Sequence, residues 1–266
     1  MIDKWLEAFI EATAWKMTTP RAYGPFHLTF TLVGIVLCFF IAWKLRGIGE
    51  KGNRILLMSV GGFLIITEIY KQLFYYYHIG DRSYQWWIFP FQMCSIPMYL
   101  CMIAPLLKPG KLQKGMYGFM TTFNLLGGFM AFIEPSGIVH GYVTLTLHAF
   151  VWHMMLIFIG VYLIMSNKHA TTSRDYLFAA FTFVTLCAVA FTINVSLWNV
   201  SGGSINMFFV GPANSSLAVF SFFSQKVGWW FSTLLYIPTV CLGAYIIFIV
   251  TDILKKQKWK RSAKNK

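Results

Sequence analysis

Residues 143–165 read VTLTLHAFVWHMMLIFIGVYLIM. This stretch contains no Asp, Glu, Lys or Arg, and a helix of about 20 such residues crosses the roughly 30 Å hydrocarbon core of a bilayer. A water-soluble domain rarely contains an apolar run of this length. The stretch therefore predicts a transmembrane helix.

The rest of the chain repeats this pattern. Only 12% of the residues are charged, against about 25% in soluble domains, and the charges collect in short stretches between apolar runs. We predict an all-α fold, a polytopic transmembrane helix bundle of about seven spans. Numbered 1 to 7 in chain order, the candidate spans are 26–43, 54–77, 88–107, 115–133, 143–165, 175–196 and 228–250.

Lys and Arg are distributed unevenly between the two faces of this bundle. Sixteen lie in the tail after residue 253 and in the connections between spans 1 and 2, 3 and 4, and 5 and 6. The opposite segments hold five: Lys4, Lys16, Arg21, Arg82 and Lys226. Because cytoplasmic loops carry the excess of Lys and Arg, we expect a cytoplasmic C-terminus and an N-terminus outside.

Three regions follow from this topology: an N-terminal interfacial amphipathic segment (1–25), a single seven-span domain (26–253) and a basic cytoplasmic tail (254–266). Residues 3–13 have one apolar and one charged helical face, which suits a helix in the outer interface or a cover on the bundle. The Phe-rich segment 197–227 is too interrupted by Gly and Pro to span, and we expect it to re-enter or cap the outer mouth.

The net charge of +13 is explained by this topology, so no nucleic-acid partner is expected. We predict that the basic tail binds anionic lipid. The five cysteines all fall in apolar runs without CxxC spacing. They indicate neither a disulfide framework nor a metal site, and no cofactor is expected.

Polar side chains inside spans are costly and usually face the bundle interior. They occur here in five spans: Glu68 and Lys71 in span 2, Gln92 and Cys94 in span 3, Asn124 in span 4, His148 and His153 in span 5, and Asn194 in span 6. With a rise of about 1.5 Å per residue, the predicted topology places these polar side chains within about 15 Å of the outer boundary of the membrane. We therefore expect one cavity in the outer half of the bilayer.

A thiol, an imidazole and a carboxylate are the parts of a nucleophilic acyl-transfer site, with Cys94 as nucleophile, His153 as base, Glu68 to orient the imidazole, and Lys or Asn to stabilise an oxyanion. Each also has a structural interpretation. Glu68 and Lys71, one helical turn apart, can neutralise each other, Cys94 can be a small packing residue, and His153 can bond one helix to another. Pro90, Pro97 and Pro105 are expected to break the helix around Cys94.

The stretch Phe89-Pro90-Phe91-Gln92-Met93-Cys94-Ser95-Ile96 resembles the Pro-x-His-x-Cys opening of the YwaF-like bacterial integral membrane family, with Gln92 where that pattern often has His. The likeness covers about residues 55 to 250. It continues through His153 and Asn194 and ends at Asn206-Met207-Phe208-Phe209 and Pro212.

This resemblance implies a function. The family is distantly similar to a eukaryotic seven-span cysteine acyltransferase that forms ether-linked phosphatidylethanolamine, and the resemblance implies that Cys94 and His153 correspond to its acyl-accepting cysteine and its histidine. It also implies a place in the bacterial cytoplasmic membrane.

Our hypothesis is therefore a membrane-embedded acyltransferase or acyl hydrolase whose substrate is a phospholipid or its acyl chain. Cys94 and His153 are the candidate catalytic residues. Glu68, Lys71, Gln92, Asn124, His148, Asn194 and Asn206 are the candidate supporting or substrate-binding residues. Two other classes stay open: a transporter coupled through Glu68, Lys71 and His153, and a non-catalytic accessory or scaffold subunit.

Overall fold

The computed structural model describes residues 1–170 and 172–264, with side chains described as far as Lys256. Within these residues the chain forms helices joined by loops and one isolated bridge, between Lys16 and Tyr142. The α-helices are α1 (Ile2–Thr13), α2 (Pro25–Leu45), α3 (Glu50–Phe74), α4 (Ile96–Ile103), α5 (Lys111–Thr121), α6 (Phe123–Ile133), α7 (Val143–Met165), α8 (Ser173–Ser196), α9 (Ala218–Lys226) and α10 (Trp229–Lys264).

In the described part of the chain, six helical segments are long and apolar enough to cross a membrane. They include α7, which has the bounds predicted for span 5. The segment Glu50–Ile79 joins α3 to a π-helical turn at Tyr75–Ile79, and the segment Lys111–Ile133 joins α5 to α6. The predicted all-α, polytopic fold is confirmed.

The third predicted crossing, 88–107, is not one helix. It consists of a 3-10 turn at Trp86–Ile88, a non-helical segment at 89–95, α4, and a 3-10 turn at Ala104–Leu106. The prolines cause these breaks because proline has no N–H to donate. The chain still passes along α3, since Ile88 contacts Gln72 and Cys101 lies beside Gly61. This half-length element therefore provides the seventh crossing.

A break at Thr122 divides the fourth predicted span into α5 and α6. The hydroxyl groups of Thr121 and Thr122 both donate to the Gly118 carbonyl, at 3.1 and 2.7 Å. Such bonds from Thr side chains to the preceding turn compete with the helical ladder and bend it.

The centre of the bundle is α7, in which every residue from Leu156 to Leu163 is buried. It packs against α2, α5 and α6. Close packing elsewhere depends on small residues: a Cβ on Gly115 would lie 2.6 Å from the Thr182 hydroxyl oxygen, so α5 and α8 approach closely.

The connections lie at two opposite ends of the bundle. We call one the basic end: residues 46–49, 107–110 and 166–170 with the part of α10 near Lys255. There Lys168 pairs with Glu50, Lys114 Nζ lies 3.0 Å from Asp175 Oδ1, and Lys255 donates to Asn167 Oδ1 at 2.6 Å. The predicted excess of Lys and Arg on one face thus collects at one end.

The opposite end carries α1, the π-helical turn and residues 134–142. Arg82 contacts Asp3 at 3.0 Å and Glu7 at 2.6 Å, so the charged face of α1 is attached to the bundle. Trp5 and Phe9 on its other face are exposed. The three regions 1–25, 26–253 and 254–266 stay a prediction. Helix α10 continues into the third of them, and the lipid-binding side chains predicted beyond Lys256 lie outside the described residues.

Candidate active site

The non-helical segment 89–95 presents Cys94 directly before a helix. Ser95 is the N-cap residue of α4, and Pro97 stands in its first turn. Hydrogen bonds within the segment and to α4 include those from the Tyr99 hydroxyl to the Pro90 carbonyl at 2.8 Å and from the Ser95 N–H to the Gln92 carbonyl at 2.8 Å. Cys94 is half-buried. Because it directly precedes the N-cap residue, Cys94 stands at the positive end of the α4 dipole, where a developing anion is favoured.

Trp152 of α7 attaches this segment to the centre of the bundle. Its indole Nε1–H donates to the Cys94 carbonyl oxygen at 3.0 Å, and its side chain is buried. The His148 ring stacks on the indole with centroids 5.4 Å apart. The Lys71 ammonium lies 6.0 Å from the indole centroid, close enough for a cation–π contact.

One turn of α3 supplies the charges of the site. The Lys71 ammonium pairs with Glu68 Oε1 at 2.9 Å. Gln72 Nε2 also donates to Glu68 Oε1, at 2.7 Å, and to the Ile88 carbonyl at 2.8 Å. Both Glu68 and Lys71 lie within electrostatic range of Cys94. Sequence reasoning missed Gln72, although its spacing of four from Glu68 could have indicated a helical pair.

His153 follows Trp152 in the chain and is held by its own helix. Its Nδ1 lies 2.8 Å from the Ala149 carbonyl oxygen. A carbonyl can only accept, so Nδ1 carries the proton and Nε2 keeps a lone pair. The Phe132 ring meets the imidazole edge-on at 6.4 Å. Among the residues that the structure describes, no hydrogen bond joins His153 to Cys94 or to Glu68.

Asn124 lies in the core and joins helices through the backbone. Its Nδ2 donates to the Met120 carbonyl at 3.0 Å and to the Leu156 carbonyl at 2.9 Å. These contacts connect α6 to α5 and to α7. The bond to Leu156 places a polar anchor three residues beyond His153 on the central helix.

The segment from Ile205 to Gly211 enters the bundle beside the Cys94 segment. Phe208 and Phe209 both have positive φ, at 54° and 55°, a strained conformation for aromatic residues. Asn194 holds them: its Oδ1 accepts from the Met207 N–H at 2.7 Å, and its Nδ2 donates to the Met207 and Val210 carbonyls. Gly211 is required here because a Cβ would lie 2.9 Å from Cβ of Asn194.

This buried segment contacts the two residues that precede Met93. Gln92 Nε2 donates to the Asn206 carbonyl at 3.4 Å, and the Phe91 and Phe208 rings lie 5.9 Å apart. Asn206 uses its own Nδ2 to bind the Asn214 carbonyl at 3.2 Å. Tyr236 of α10 is a further neighbour that sequence reasoning missed, with its hydroxyl 3.9 Å from Met93 Sδ.

The predicted site residues thus fall into two groups. The first group lies around Trp152, as the contacts given above show, and Lys71 interacts electrostatically with both histidines. Its members are Glu68, Lys71, Cys94, His148 and His153. Asn124, Asn194, Asn206 and Gln92 bind backbone carbonyls around that group. In the described part of the chain, no three His, Cys, Asp or Glu residues are grouped to hold a metal ion.

Two further side chains near Glu68 and Lys71, Tyr84 and His140, lie in loops at the end of the bundle opposite the basic end. Burial, and then the Glu68 carboxylate, raises the pKa of Tyr84 to about 12. Burial, and then the Lys71 ammonium, lowers the pKa of His140. At neutral pH both are therefore uncharged, which leaves Lys71 and Glu68 as the charges next to Cys94 in this group.

No curated protein and no solved structure matches the chain. The sequence does match the TMEM164 family over residues 22–256, which include every helix from α2 to α9 and most of α10. Because this match extends over far more than half of its length, the chain belongs to the TMEM164 family.

Proposed function

We propose that this chain is a membrane-embedded acyltransferase or acyl hydrolase that acts on phospholipid, with Cys94 as nucleophile and His153 as base. One observation carries the proposal: Cys94 stands at the N-terminus of α4 and is bonded through its carbonyl to Trp152, the residue before His153. A cysteine nucleophile needs a nearby base and a positive environment. The likeness of the Cys94 and His153 motifs to a cysteine acyltransferase supports the same roles.

In the proposed first step, Cys94 Sγ attacks the carbonyl carbon of an acyl ester. Nε2 of His153 accepts the thiol proton and returns it to the oxygen of the departing alcohol, so that a carbon–sulfur bond forms as a carbon–oxygen bond breaks. The bond from Nδ1 to Ala149 supports this role because it reserves Nε2 as the acceptor. The products are a thioester on Cys94 and a lysolipid.

Lys71 is the proposed electrostatic partner of this step. Its ammonium lies within range of Cys94, and a fixed positive charge in a site of low dielectric constant favours the thiolate and the oxyanion of the tetrahedral intermediate. Glu68 holds the ammonium in place at 2.9 Å. In the second step, water or a second lipid receives the acyl group.

The proposal includes the location of this chemistry. The Lys and Arg residues of the basic end support a cytoplasmic orientation for that end, which would put Cys94 in the outer half of the bilayer. The proposed site of action is the cell membrane, here the bacterial cytoplasmic membrane.

The test is to incubate the purified full-length protein in vesicles with a phosphatidylcholine donor and measure its intact mass. We expect an added acyl mass on wild-type protein, located at Cys94 by peptide mapping. Cys94→Ser and His153→Ala should each reduce it by at least about 100-fold, the scale of losing a nucleophile or its base. Cys241→Ser is the matched control, since Cys241 is also a half-buried free thiol.

Two results would contradict the proposal: an acyl adduct that persists in Cys94→Ala, or full turnover of an identified lipid by that variant. If no lipid is consumed and a solute flux depends on Glu68, Lys71 and His153 instead, the transporter hypothesis takes its place.

A further inference from the structure

Helix α2 lies at the edge of the bundle and faces the membrane along most of its length. Only 11% of its most apolar stretch is buried, against 67% for α7. Val36 and Phe40 on its outer surface are 67% and 54% exposed. Its inner side packs on α7, where a Cβ on Gly34 would lie 2.7 Å from Met154 Sδ. Lipid therefore covers the outer surface of α2.

A groove of about 560 Å³ runs along α2 as far as Leu37. Phe30, Val33 and Leu37 are among the residues that line it, and the lining is almost wholly apolar. Their spacing of three and four residues places them on one stripe of the helix. With the same spacing, Phe40 and Lys44 continue this stripe towards the basic end. The groove thus leads to the end of α2 that carries positive charge.

Two cations and two aromatic rings form a cluster at that end. Lys44 Nζ lies 5.1 Å from the Trp43 ring centroid and 5.7 Å from the Phe40 ring centroid. Arg46 Cζ lies 5.2 Å from the Trp43 centroid. All three distances are within the range of cation–π contacts. Because Trp43 is 45% exposed, its ring holds both cations at the surface, at the level where tryptophan meets lipid headgroups.

The protein does not balance the charge of this cluster. Glu50 is the only acidic residue in the stretch 42–54, and it pairs with Lys168. In the part of the chain that the structure describes, no carboxylate forms an ion pair with Lys44 or Arg46. Two cations on one ring repel each other, so an anion beside both lowers the free energy of the cluster. We therefore expect the counter-charge to come from outside the protein.

The cluster and the groove together select one kind of ligand. A guanidinium group binds phosphate oxygens through paired N–H donors, and an ammonium group adds a point charge. Lys44 is seven residues, about 10 Å, from Leu37. An acyl chain that starts at the cluster therefore reaches the groove within one leaflet, whose apolar half is about 15 Å thick.

We propose that α2 binds one anionic phospholipid of the leaflet at the basic end. Its phosphate lies at Lys44 and Arg46, and one of its acyl chains follows the stripe past Phe40 into the groove. This site is separate from the basic tail and does not depend on the proposed acyl transfer.

Native mass spectrometry of the full-length protein tests the headgroup. The protein is released from micelles that contain equal amounts of phosphatidylglycerol and phosphatidylcholine with the same acyl chains, and the bound lipids are counted. We expect one site that prefers phosphatidylglycerol about 25-fold, since each of two cations near a lipid surface contributes about fivefold. Lys44→Gln combined with Arg46→Gln should remove most of this preference. Trp43→Leu should lower it at least about threefold, because the ring no longer holds the cations.

The matched control is Lys51→Gln combined with Arg54→Gln. These two cations belong to the same connection and are exposed, but within the described residues neither of them contacts an aromatic ring. This control removes the same charge. It should leave the preference within about twofold of wild type, because exposed charges outside the site are screened.

A photoactivatable phosphatidylglycerol tests the groove. Its diazirine, in the middle of one acyl chain, should label α2 between Phe30 and Phe40, as located by peptide mapping. Val33 is 52% exposed, and Val33→Trp fills the groove with a larger side chain. This variant should reduce the label on α2 at least about fivefold, the scale of an overpacked site, and leave labelling elsewhere unchanged.

Four results would overturn the proposal. The first is equal retention of the two lipids. The second is an equal loss of preference in both double variants, which would indicate a bulk effect of charge. The third is displacement of the lipid by inorganic phosphate at the same concentration, because the groove would then contribute nothing. The fourth is a loss of stability in the Lys44 and Arg46 double variant with unchanged lipid preference, which would leave these cations as partners of the α2 dipole alone.

Discussion

The indole N–H of Trp152 donates a hydrogen bond to the carbonyl oxygen of Cys94 at 3.0 Å. This contact joins the most buried helix of the bundle to a segment that has no helical hydrogen-bond ladder of its own. It accounts for how a backbone interrupted by proline keeps one conformation inside a membrane, where free carbonyl groups are costly. Trp152 thereby sets the position of the candidate nucleophile through its backbone.

Trp152→Phe tests this role because it keeps an aromatic ring and removes the N–H. We expect a loss of about 1 kcal/mol in the free energy of unfolding, the value of one hydrogen bond, and thioester formation at least about tenfold slower because Cys94 is displaced. Unfolding in mixed micelles measures the change in the free energy of unfolding, and intact mass measures the rate of thioester formation. Trp87→Phe, an exposed tryptophan, is the control, and an unchanged rate in Trp152→Phe would refute the role.

Lys71→Met should destabilise the fold because it leaves the buried Glu68 carboxylate without a counter-charge. Breaking one side of a buried pair costs about 3 kcal/mol or more. Adding Glu68→Gln to this variant should restore much of the stability and none of the thioester formation. A double variant less stable than Lys71→Met would contradict the pairing seen at 2.9 Å.

Asn194→Ala should release the strained segment from Ile205 to Gly211, since it removes both hydrogen bonds donated to the Met207 and Val210 carbonyls. We expect faster deuterium uptake in this segment and lower reactivity of Cys94, whose neighbour Gln92 contacts Asn206. Asn53→Ala is the matched control, because Asn53 is equally buried but bonds Tyr117 and Tyr162. Uptake that rises equally in both variants would count against a specific clamp.

The stability of the basic end should depend on pH through His169. Burial, and then the Lys255 ammonium, lowers its pKa to about 4 in spite of the nearby Asp252 and Asp175. Unfolded histidine titrates near pH 6.5, so on acidification the unfolded chain binds this proton first, and stability falls between about pH 6.5 and 4. His169→Gln should flatten that part of the stability curve. A curve identical to wild type would refute the shift.

Membrane orientation is tested by labelling. A cysteine introduced at 108–114 should be protected from an impermeant thiol reagent in intact cells, and one at 134–142 should react, because the basic end is expected to face the cytoplasm. Permeabilised cells provide the control for access. The reverse pattern would invert the orientation and place Cys94 in the inner half.

The sequence was sufficient to predict the helix bundle because each crossing needs its own apolar run. It predicted α7 to the residue, and it indicated that Pro90 and Pro97 would disturb the third crossing. Helix hydropathy could not show that α4 is only half-length. Nor could it predict the break at Thr122, which depends on how two hydroxyl groups bond to Gly118.

The sequence singled out five polar side chains that the structure brings near one tryptophan, and their functional roles stay a prediction: Glu68, Lys71, Cys94, His148 and His153. Polarity inside a span identified these residues because it is costly there. It did not identify Trp152, an apolar-looking residue whose importance lies in one N–H, or Gln72, which is near the end of α3. The role assigned to Glu68 beside His153 differs from the contacts observed, where Glu68 binds Lys71 and Gln72.

The half-length third crossing has a consequence for how the protein enters its membrane. The helical run Ile96–Leu106 is about 16 Å long at about 1.5 Å per residue, roughly half of the hydrocarbon core. During synthesis it cannot be released into lipid alone, because residues 89–95 would expose free backbone groups. Partners for that backbone come from α7, which is made later. We therefore expect the third crossing to leave the insertion machinery only after Trp152 has emerged.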